Sequence, residues 1–469
     1  MSVLLASILK YMNLLQKFQQ FIINENLFLP KDKLLLAVSG GIDSVVLCEL
    51  CHQAGYDFVM AHCNFQLRGQ ESVRDEQFVT ALGEKYNKQV LVKQFETEKY
   101  AIEKKISIQV AARELRYEWF FEILNSKTSN GEALTHNSQL PTHLATAHHL
   151  NDNIETMLMN FFKGTGIAGL RGMLPKQGPL VRPLLFAKKE AIEKFAEENK
   201  LGWVEDSSNQ SDKYSRNYFR HQVIPLVQHI YPEAENNLAK NLQRFRDTEL
   251  LYHQSIQRYK KKLLAYKENE VHIPVLKLKN TVPLNTVVYE IIKDFSFSAA
   301  QTEEVIQLLD SDTGRYIQSS THRIIKNRSW IIITPLHEKT TQIILIESPG
   351  KLDFQMGSIE LAEQTNSGFK IPAAPHIACL NGAAIKFPLL LRKWKSGDYF
   401  YPLGMKKKKK LARFFIDNKF SATEKEKIWV IETDKKIIWV VGYRIDDRFK
   451  IMPSTKNILT IAFSKAVNV

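Results

Sequence analysis

Apolar and polar positions follow two distinct rhythms along the first half of this chain. Residues 11–26 place Leu, Phe and Ile at helical spacing, the pattern of an amphipathic helix. The run Lys33-Leu34-Leu35-Leu36-Ala37-Val38 has the length and apolar continuity of a strand buried on both faces. Ser39-Gly40-Gly41 interrupts it, and 44–52 resumes as a helix. The cycle then repeats as strand 56–62, helix 74–86, strand 89–94, helix 107–124, strand 143–147 and a helix from Asp152. Strands alternating with helices predict a parallel sheet covered on both faces.

Beyond this the rhythm changes. Residues 125–141 are polar and read as a surface insertion. A helix is expected over 188–199, then Trp203-Val204 and a turn-rich stretch from Glu205 to Asp212. Pro225 and Pro232 bracket the exit from the first domain. Dense charges at helical spacing over 233–268 predict a long helix. Residues 348–375 mix Gly and Pro with short strands, and β patterning surrounds Leu389, Trp429 and Trp439. No internal repeat interrupts this order. The predicted architecture is α/β: a parallel-sheet domain over 1–225, a mainly helical domain over 226–345 and a mixed α+β domain over 346–469.

Composition narrows the function. At about 150 residues per domain, 469 residues fit three domains. With 44% hydrophobic residues the chain can bury sizeable cores, which excludes a disordered or fibrous protein. Lys and Arg number 64 against 50 Asp and Glu, and the resulting +14 points to a polyanionic partner such as nucleic acid. No run approaches the ~18 apolar residues of a membrane span. The N-terminal apolar run is short and no basic residue precedes it, so a signal peptide is not expected, and Met12 is an alternative start to Met1. Cys48, Cys51, Cys63 and Cys379 are too few for a disulfide framework, and a cytoplasmic location is expected.

The sharpest chemical feature is Ser39-Gly40-Gly41-Ile42-Asp43-Ser44, between a buried strand and a helix. Glycines let backbone N–H groups approach phosphate oxygens, and a helix N-terminus adds donors and positive potential. The loop has neither the Lys nor the spacing of G-x-x-x-x-G-K-[ST], and it is not G-x-G-x-x-G. Ser-Gly-Gly-x-Asp-Ser after a strand resembles the PP-loop of the ATP pyrophosphatases, which implies a Rossmann-like first domain that binds ATP and cleaves between its α and β phosphates. Asp43 beside phosphates suits a Mg²⁺ ligand or a base.

Further segments resemble one branch of that superfamily, the tRNA(Ile)-lysidine synthetases. They are His62-Cys63-Asn64-Phe65-Gln66-Leu67-Arg68-Gly69, with Gln66 where His is usual, and Ala112-Arg113-Glu114-Leu115-Arg116-Tyr117. Others are Ala147-His148-His149-Leu150-Asn151-Asp152-Asn153-Ile154-Glu155-Thr156, with Asn151 where many members carry an acid, and the runs Gly164 to Met173 and Arg182-Pro183-Leu184-Leu185. Glu205-Asp206-Ser207-Ser208-Asn209 and Arg216-Asn217 fit the end of the catalytic domain. The resemblance fades over about 225–380 and returns at Gly397-Asp398, Pro402-Leu403-Gly404-Met405, Lys410-Leu411 and Phe414-Phe415-Ile416. His148, Asp152, Glu155 and Thr156 are expected on one helix face, at i, i+4, i+7 and i+8.

The resemblance implies a reaction: the wobble cytidine of tRNA(Ile) with a CAU anticodon is adenylated on O2 by ATP, and the ε-amine of free lysine then displaces AMP at carbon 2. Asp43, Arg113, His148 and Asp152 are the expected catalytic residues. Ser39, Gly40, Gly41, Ile42, Asp43 and Ser44 are the expected ATP loop, and Asp43 and Asp152 the expected Mg²⁺ ligands. Which carboxylate takes the lysine proton and which holds metal is left open, as are the lysine pocket and the choice between monomer and homodimer. Arg116, Arg216 and the run Lys406, Lys407, Lys408, Lys409 and Lys410 are the expected tRNA contacts.

Other readings of the same residues compete. Cys48-x-x-Cys51-His52 spells a c-type haem attachment, and Cys48, Cys51, His62 and Cys63 suggest zinc. Buried small hydrophobes explain these cysteines better. Cysteines also suit a PP-loop tRNA thiolase, the rival enzyme class, and a non-catalytic RNA-binding module is a third reading.

Overall fold

The structure, a computed structural model, describes residues 13–125, 140–205, 215–336, 343–366, 371–372 and 374–466. Met1 and Met12, nearly all of the 125–141 insertion, and Asp206, Ser207, Ser208 and Asn209 lie outside the described residues. By compactness the chain divides into two units, 1–254 and 255–469.

The first unit starts with α1 (Leu14–Asn24), whose N-cap Asn13 accepts from the Gln16 N–H while the Gln16 side chain accepts from the Asn13 N–H. There follow β1 (Leu34–Ala37), α2 (Ile42–Gln53), β2 (Phe58–Asn64), α3 (Gln70–Tyr86), β3 (Val90–Gln94), α4 (Thr97–Lys104), α5 (Ile108–Asn125) and β4 (His143–Ala145). Next come α6 (Leu150–Lys163), α7 (Ile167–Leu170), β5 (Lys176–Gln177), β6 (Leu180–Val181) and α8 (Lys189–Glu198). The sheet order is β3-β2-β1-β4-β6-β5, parallel except for the β5–β6 edge. Leu34 and Leu36 enter one core with α1, α2 and α8, while Leu35 enters another with Trp119 and Phe120 of α5. Burial on both faces is why β1 reads as a continuous apolar run. From β1 the chain first builds outward through β2 and β3, then returns to place β4 on the other side of β1. That reversal makes the carboxyl ends of β1 and β4 a topological switch point, where open α/β sheets bind ligands.

The unit closes with α9 (Ser215–Tyr218), a π-helical turn over Phe219–Val223, α10 (Ile224–Ile230) and the first part of α11 (Ala234–Leu263). Leu238, Leu242 and Phe245 of α11 pack on Ile154 and Met157 of α6. This packing is why the compact division falls inside α11, beyond the exit expected near 225.

The helical expectation for 226–345 holds in α11 and in the helices Val275–Lys279, Leu284–Ile292 and Gln301–Leu308, with strands added between and after them. The strands form a five-stranded antiparallel sheet, in the spatial order Ala265–Lys267, Glu270–Pro274, Trp330–Pro335, His322–Asn327, Tyr316–Gln318. Among the described residues from 343 on, a five-stranded and a four-stranded antiparallel sheet bury Trp429, Trp439, Leu389, Ile359 and Ile461 in one core, and a two-stranded ladder lies between their strands in sequence. Helix Leu411–Asp417 covers the other side of one sheet with Leu411, Phe414 and Phe415. No helix is long and apolar enough to cross a membrane among the described residues.

Candidate active site

β1 hands over to α2 through a loop whose backbone is fixed by short-range bonds. Val38 still pairs with β2, its N–H donating to Ala61 O at 2.9 Å, and the buried His62 Nδ1 lies 2.9 Å from Val38 O. Gly40 adopts φ +92°, a conformation that favours glycine, and its carbonyl accepts the Val204 N–H at 3.0 Å. A Cβ there would stand 2.6 Å from Val204 Cγ2. Ser44 Oγ donates to Gly41 O at 2.8 Å, and the Gly41 N–H donates to Ser39 Oγ at 3.3 Å. Asp43 then occupies the first turn of α2.

The second wall grows from the end of β4. His149, extended at φ −117° and ψ −179°, is the N-cap of α6, and its N–H donates to Asp152 Oδ2 at 3.0 Å. His148 therefore precedes the helix, with Nδ1 2.9 Å from Thr146 Oγ1. This corrects its expected place on the helix face: the chain must turn out of the strand before helical geometry can begin. Glu155 and Thr156 do follow Asp152 on α6.

The carboxylates Asp43 and Asp152 converge on one buried ring, with His149 Nε2 3.9 Å from Asp43 Oδ2 and 3.5 Å from Asp152 Oδ2. His149 Nδ1 is buried with no hydrogen-bond partner among the described residues. Lys189, the first residue of α8, places Nζ 2.7 Å from Asp43 Oδ1. Arg220 donates from Nε to Glu155 Oε1 at 2.7 Å and from Nη2 to Asp152 Oδ1 at 3.1 Å. Arg216 donates from Nη2 to Thr156 Oγ1 at 2.6 Å, and its Nε lies 3.3 Å from Glu155 Oε2. Asp43, Asp152, Lys189, Arg216 and Arg220 line a cavity of about 850 Å³ together with Ser39, Gly41, Ser44, His148 and Arg116, while His149, Glu155 and Thr156 are not part of that lining.

Burial and charge set the protonation states. Burial pushes the imidazoles of His148, His149 and His62 below their ordinary range, so all three are neutral at pH 7. Burial alone would raise Asp152, but His149, His148, the His149 N–H and Arg216 together hold its carboxyl below the usual range. Glu155 goes the other way: burial raises it more than Arg220 and Arg216 lower it.

Of the residues expected from sequence, the structure brings Ser39, Gly41, Ile42, Asp43, Ser44, His148, Asp152, Arg116 and Arg216 to one cavity. Gly40 lies behind the loop against Val204. Arg113 is not among the cavity-lining residues; its guanidinium stacks 4.9 Å from the Tyr117 ring centroid, and that of Arg116 5.2 Å from Phe65. Sequence reasoning missed Lys189, Arg220 and the central place of His149. Arg220 had a legible signal, one helical turn beyond Arg216; Lys189 had none, being 146 residues from its partner. The suggested zinc site is not assembled: Cys48 and Cys51 lie fully buried in the core, and no metal-binding His/Cys/Asp/Glu group of three or more occurs among the described residues. Cys63 does line the cavity, but burial pushes its thiol up to about 12.

In the second unit, Tyr399–Phe400 pairs with Lys409–Lys410 in a short ladder. Lys406, Lys407, Lys408 and Lys410 are exposed, while Lys409 is half-buried and bound to Asp417 at 2.8 Å.

Three protein families match this chain along its length. A PP-loop domain matches residues 10–227, a TilS substrate binding domain 266–336 and a TilS substrate C-terminal domain 389–461. A tRNA(Ile)-lysidine synthase of Bacteroides thetaiotaomicron is 37% identical over 444 residues, which are 95% of this chain and 98% of that relative. A tRNA(Ile)-lysidine synthase of Parabacteroides distasonis is also 37% identical, over 92% of this chain and 95% of its own. Among solved structures, a U34-tRNA thiolase from Methanococcus maripaludis aligns with TM-score 0.37 at 15% identity, over 49% of this chain and 78% of its own.

Proposed function

The chain belongs to the tRNA(Ile)-lysidine synthase family, and from that premise we infer that it joins free lysine to carbon 2 of the wobble cytidine of tRNA(Ile) bearing a CAU anticodon. The observation that carries this reading is end-to-end coverage by relatives of that name, 95% of this chain and 98% of the relative. The cavity chemistry supports it. Cytidine O2 attacks the α-phosphorus of ATP held at the Ser39–Ser44 loop, and pyrophosphate leaves. Lysine Nε then attacks carbon 2, and AMP departs with O2 and the bonding electron pair.

The nucleophile needs help. An amine of pKa about 10.4 is almost wholly protonated at pH 7. Asp152, kept ionised by its neighbours and close to neutral His149, is suited to hold and orient the lysine ammonium by charge; its lowered pKa makes it a weak base for the proton itself. Arg116, Arg216 and Arg220 supply positive charge to the same cavity. Asp43 and Asp152 are hard oxygen donors of the kind Mg²⁺ uses alongside phosphate oxygens, and Asp43 stands in the ATP loop itself. Bound there, the ion would neutralise phosphate charge. Arg113, outside the cavity lining, is better suited to shaping the electrostatics around His148 and Arg182 than to touching phosphate.

The test is mass spectrometry of tRNA nucleosides after incubation with ATP, Mg²⁺ and lysine. A lysine-sized gain on one cytidine is expected, with AMP and pyrophosphate formed at product stoichiometry. Asp43→Ala should remove product while tRNA binding stays within about threefold, because the substitution leaves remote phosphate contacts intact. A sulfur-sized gain would overturn the reading in favour of a thiolase.

A further inference from the structure

The ATP loop carries no cation of its own. Between Val38 and Val45 the only charged side chain is Asp43, an acid. A carboxylate beside a triphosphate is repulsive unless positive charge lies between them. Lys189 is anchored to that carboxylate at 2.7 Å from outside the loop.

Its position is built rather than incidental. The Lys189 N–H donates to Asn151 Oδ1 at 3.0 Å, and Asn151 Nδ2 donates to Glu235 Oε1 at 3.0 Å. The start of α8 is thereby tied to the first turn of α6, and the side chain lines the cavity about one-third exposed. An ammonium has three N–H donors, of which Asp43 uses one. Arg68, Arg116, Arg216 and Arg220 also line the cavity. Arg216 and Arg220 hold Glu155, Asp152 and Thr156, and Arg116 stacks on Phe65.

We propose that Lys189 is the phosphate-binding cation of the ATP site, bridging Asp43 and the pyrophosphate leaving group. The inference rests on the reading of this cavity as an ATP pyrophosphatase centre. When O2 attacks the α-phosphorus, the bond from that phosphorus to the α–β bridging oxygen breaks. The electron pair stays on that oxygen, and the new negative charge appears on pyrophosphate. An ammonium fixed at this end stabilises the departing group more than intact ATP, and the same contact keeps Asp43 in place. Lys189 thus supplies from α8 the charge that a Walker-type loop carries within its own sequence.

The test uses the full-length protein with Lys189→Met and Lys189→Arg. Inorganic pyrophosphate with magnesium chloride is titrated calorimetrically, and pyrophosphate inhibition and steady-state constants are measured in the lysidine assay. Lys189→Met should weaken pyrophosphate binding and inhibition about tenfold or more, as loss of a charge-assisted hydrogen bond does. It should lower kcat while KM for tRNA and for lysine stays unchanged, and Lys189→Arg should restore most of the pyrophosphate affinity. Folded Lys189→Met that binds pyrophosphate within twofold of wild type overturns the proposal; Lys189→Gln gives the same readout if the methionine variant does not fold. A wild-type protein that makes no lysidine, but whose pyrophosphate binding depends on Lys189, would sink the functional reading and leave this inference standing.

Discussion

Gly40 carries the tightest local constraint in the ATP loop. Its φ of +92° is strained for any L side chain, and a Cβ would collide with Val204 Cγ2. Gly40→Ala should cost about 1–3 kcal/mol through strain alone and displace the loop from the Val204 strap. Thermal unfolding together with ATP-dependent pyrophosphate release checks both effects, and near-normal release would show that the loop tolerates the shift. Cys63 poses the opposite question. It lines the cavity, yet a thiol pushed up to about 12 is almost wholly protonated at neutral pH and is a poor nucleophile. Cys63→Ala should therefore keep lysidine formation within a few-fold, whereas a thiolase that used this sulfur would be inactivated.

At the scale of elements, the junction of β4 and α6 concentrates buried ionisable groups. Glu155 has a side chain only 1% exposed and answers to both Arg216 and Arg220. Glu155→Ala should destabilise the first unit by about 2–4 kcal/mol, slightly below the usual cost of breaking a buried pair because both arginines are partly exposed. Chemical denaturation measures this directly. The histidines set the pH response. His62, His148 and His149 have depressed values in the fold and titrate normally once unfolded, so on acidification the unfolded chain takes up protons that the folded one refuses. Stability should fall as pH drops from about 7 to 5.5, by at most about 1.4 kcal/mol per pH unit for each histidine. Glu155, raised by burial, works in the opposite direction and nearer its ordinary 4.5. Urea midpoints across this range test the sign, and His62→Gln should flatten the curve.

At the scale of the whole molecule, the +14 charge fits a tRNA partner, and the lysine run offers a place to measure it. Lys409 is held by Asp417 and lies in the ladder with Phe400, so it is better read as part of that short hairpin than as a free phosphate contact. Replacing Lys406, Lys407, Lys408 and Lys410 with Gln should reduce the slope of log K against log salt by about 1 to 3. KM for tRNA should rise while kcat at saturating tRNA stays near wild type, since a remote phosphate contact gives uniform binding. An unchanged slope would return the run to a solvated loop and move tRNA docking elsewhere on the chain.

The sequence by itself determined the alternation of strands and helices in the first unit and the loop from Ser39 to Ser44. Both are written in local patterns: apolar runs buried on two faces, and glycines where backbone must turn. It also marked Asp43, His148 and Asp152, because each belongs to a short recognisable segment. The sheet after α11 escaped it, since strands of three to six residues between helices carry too few positions for a period to emerge. Tertiary structure alone decided that His149 stands between two carboxylates, that Arg220 joins Asp152 to Glu155, and that Lys189 reaches Asp43. Asp43 lies 146 residues from Lys189, and no local pattern encodes a contact made only when the sheet order folds β1 beside β4.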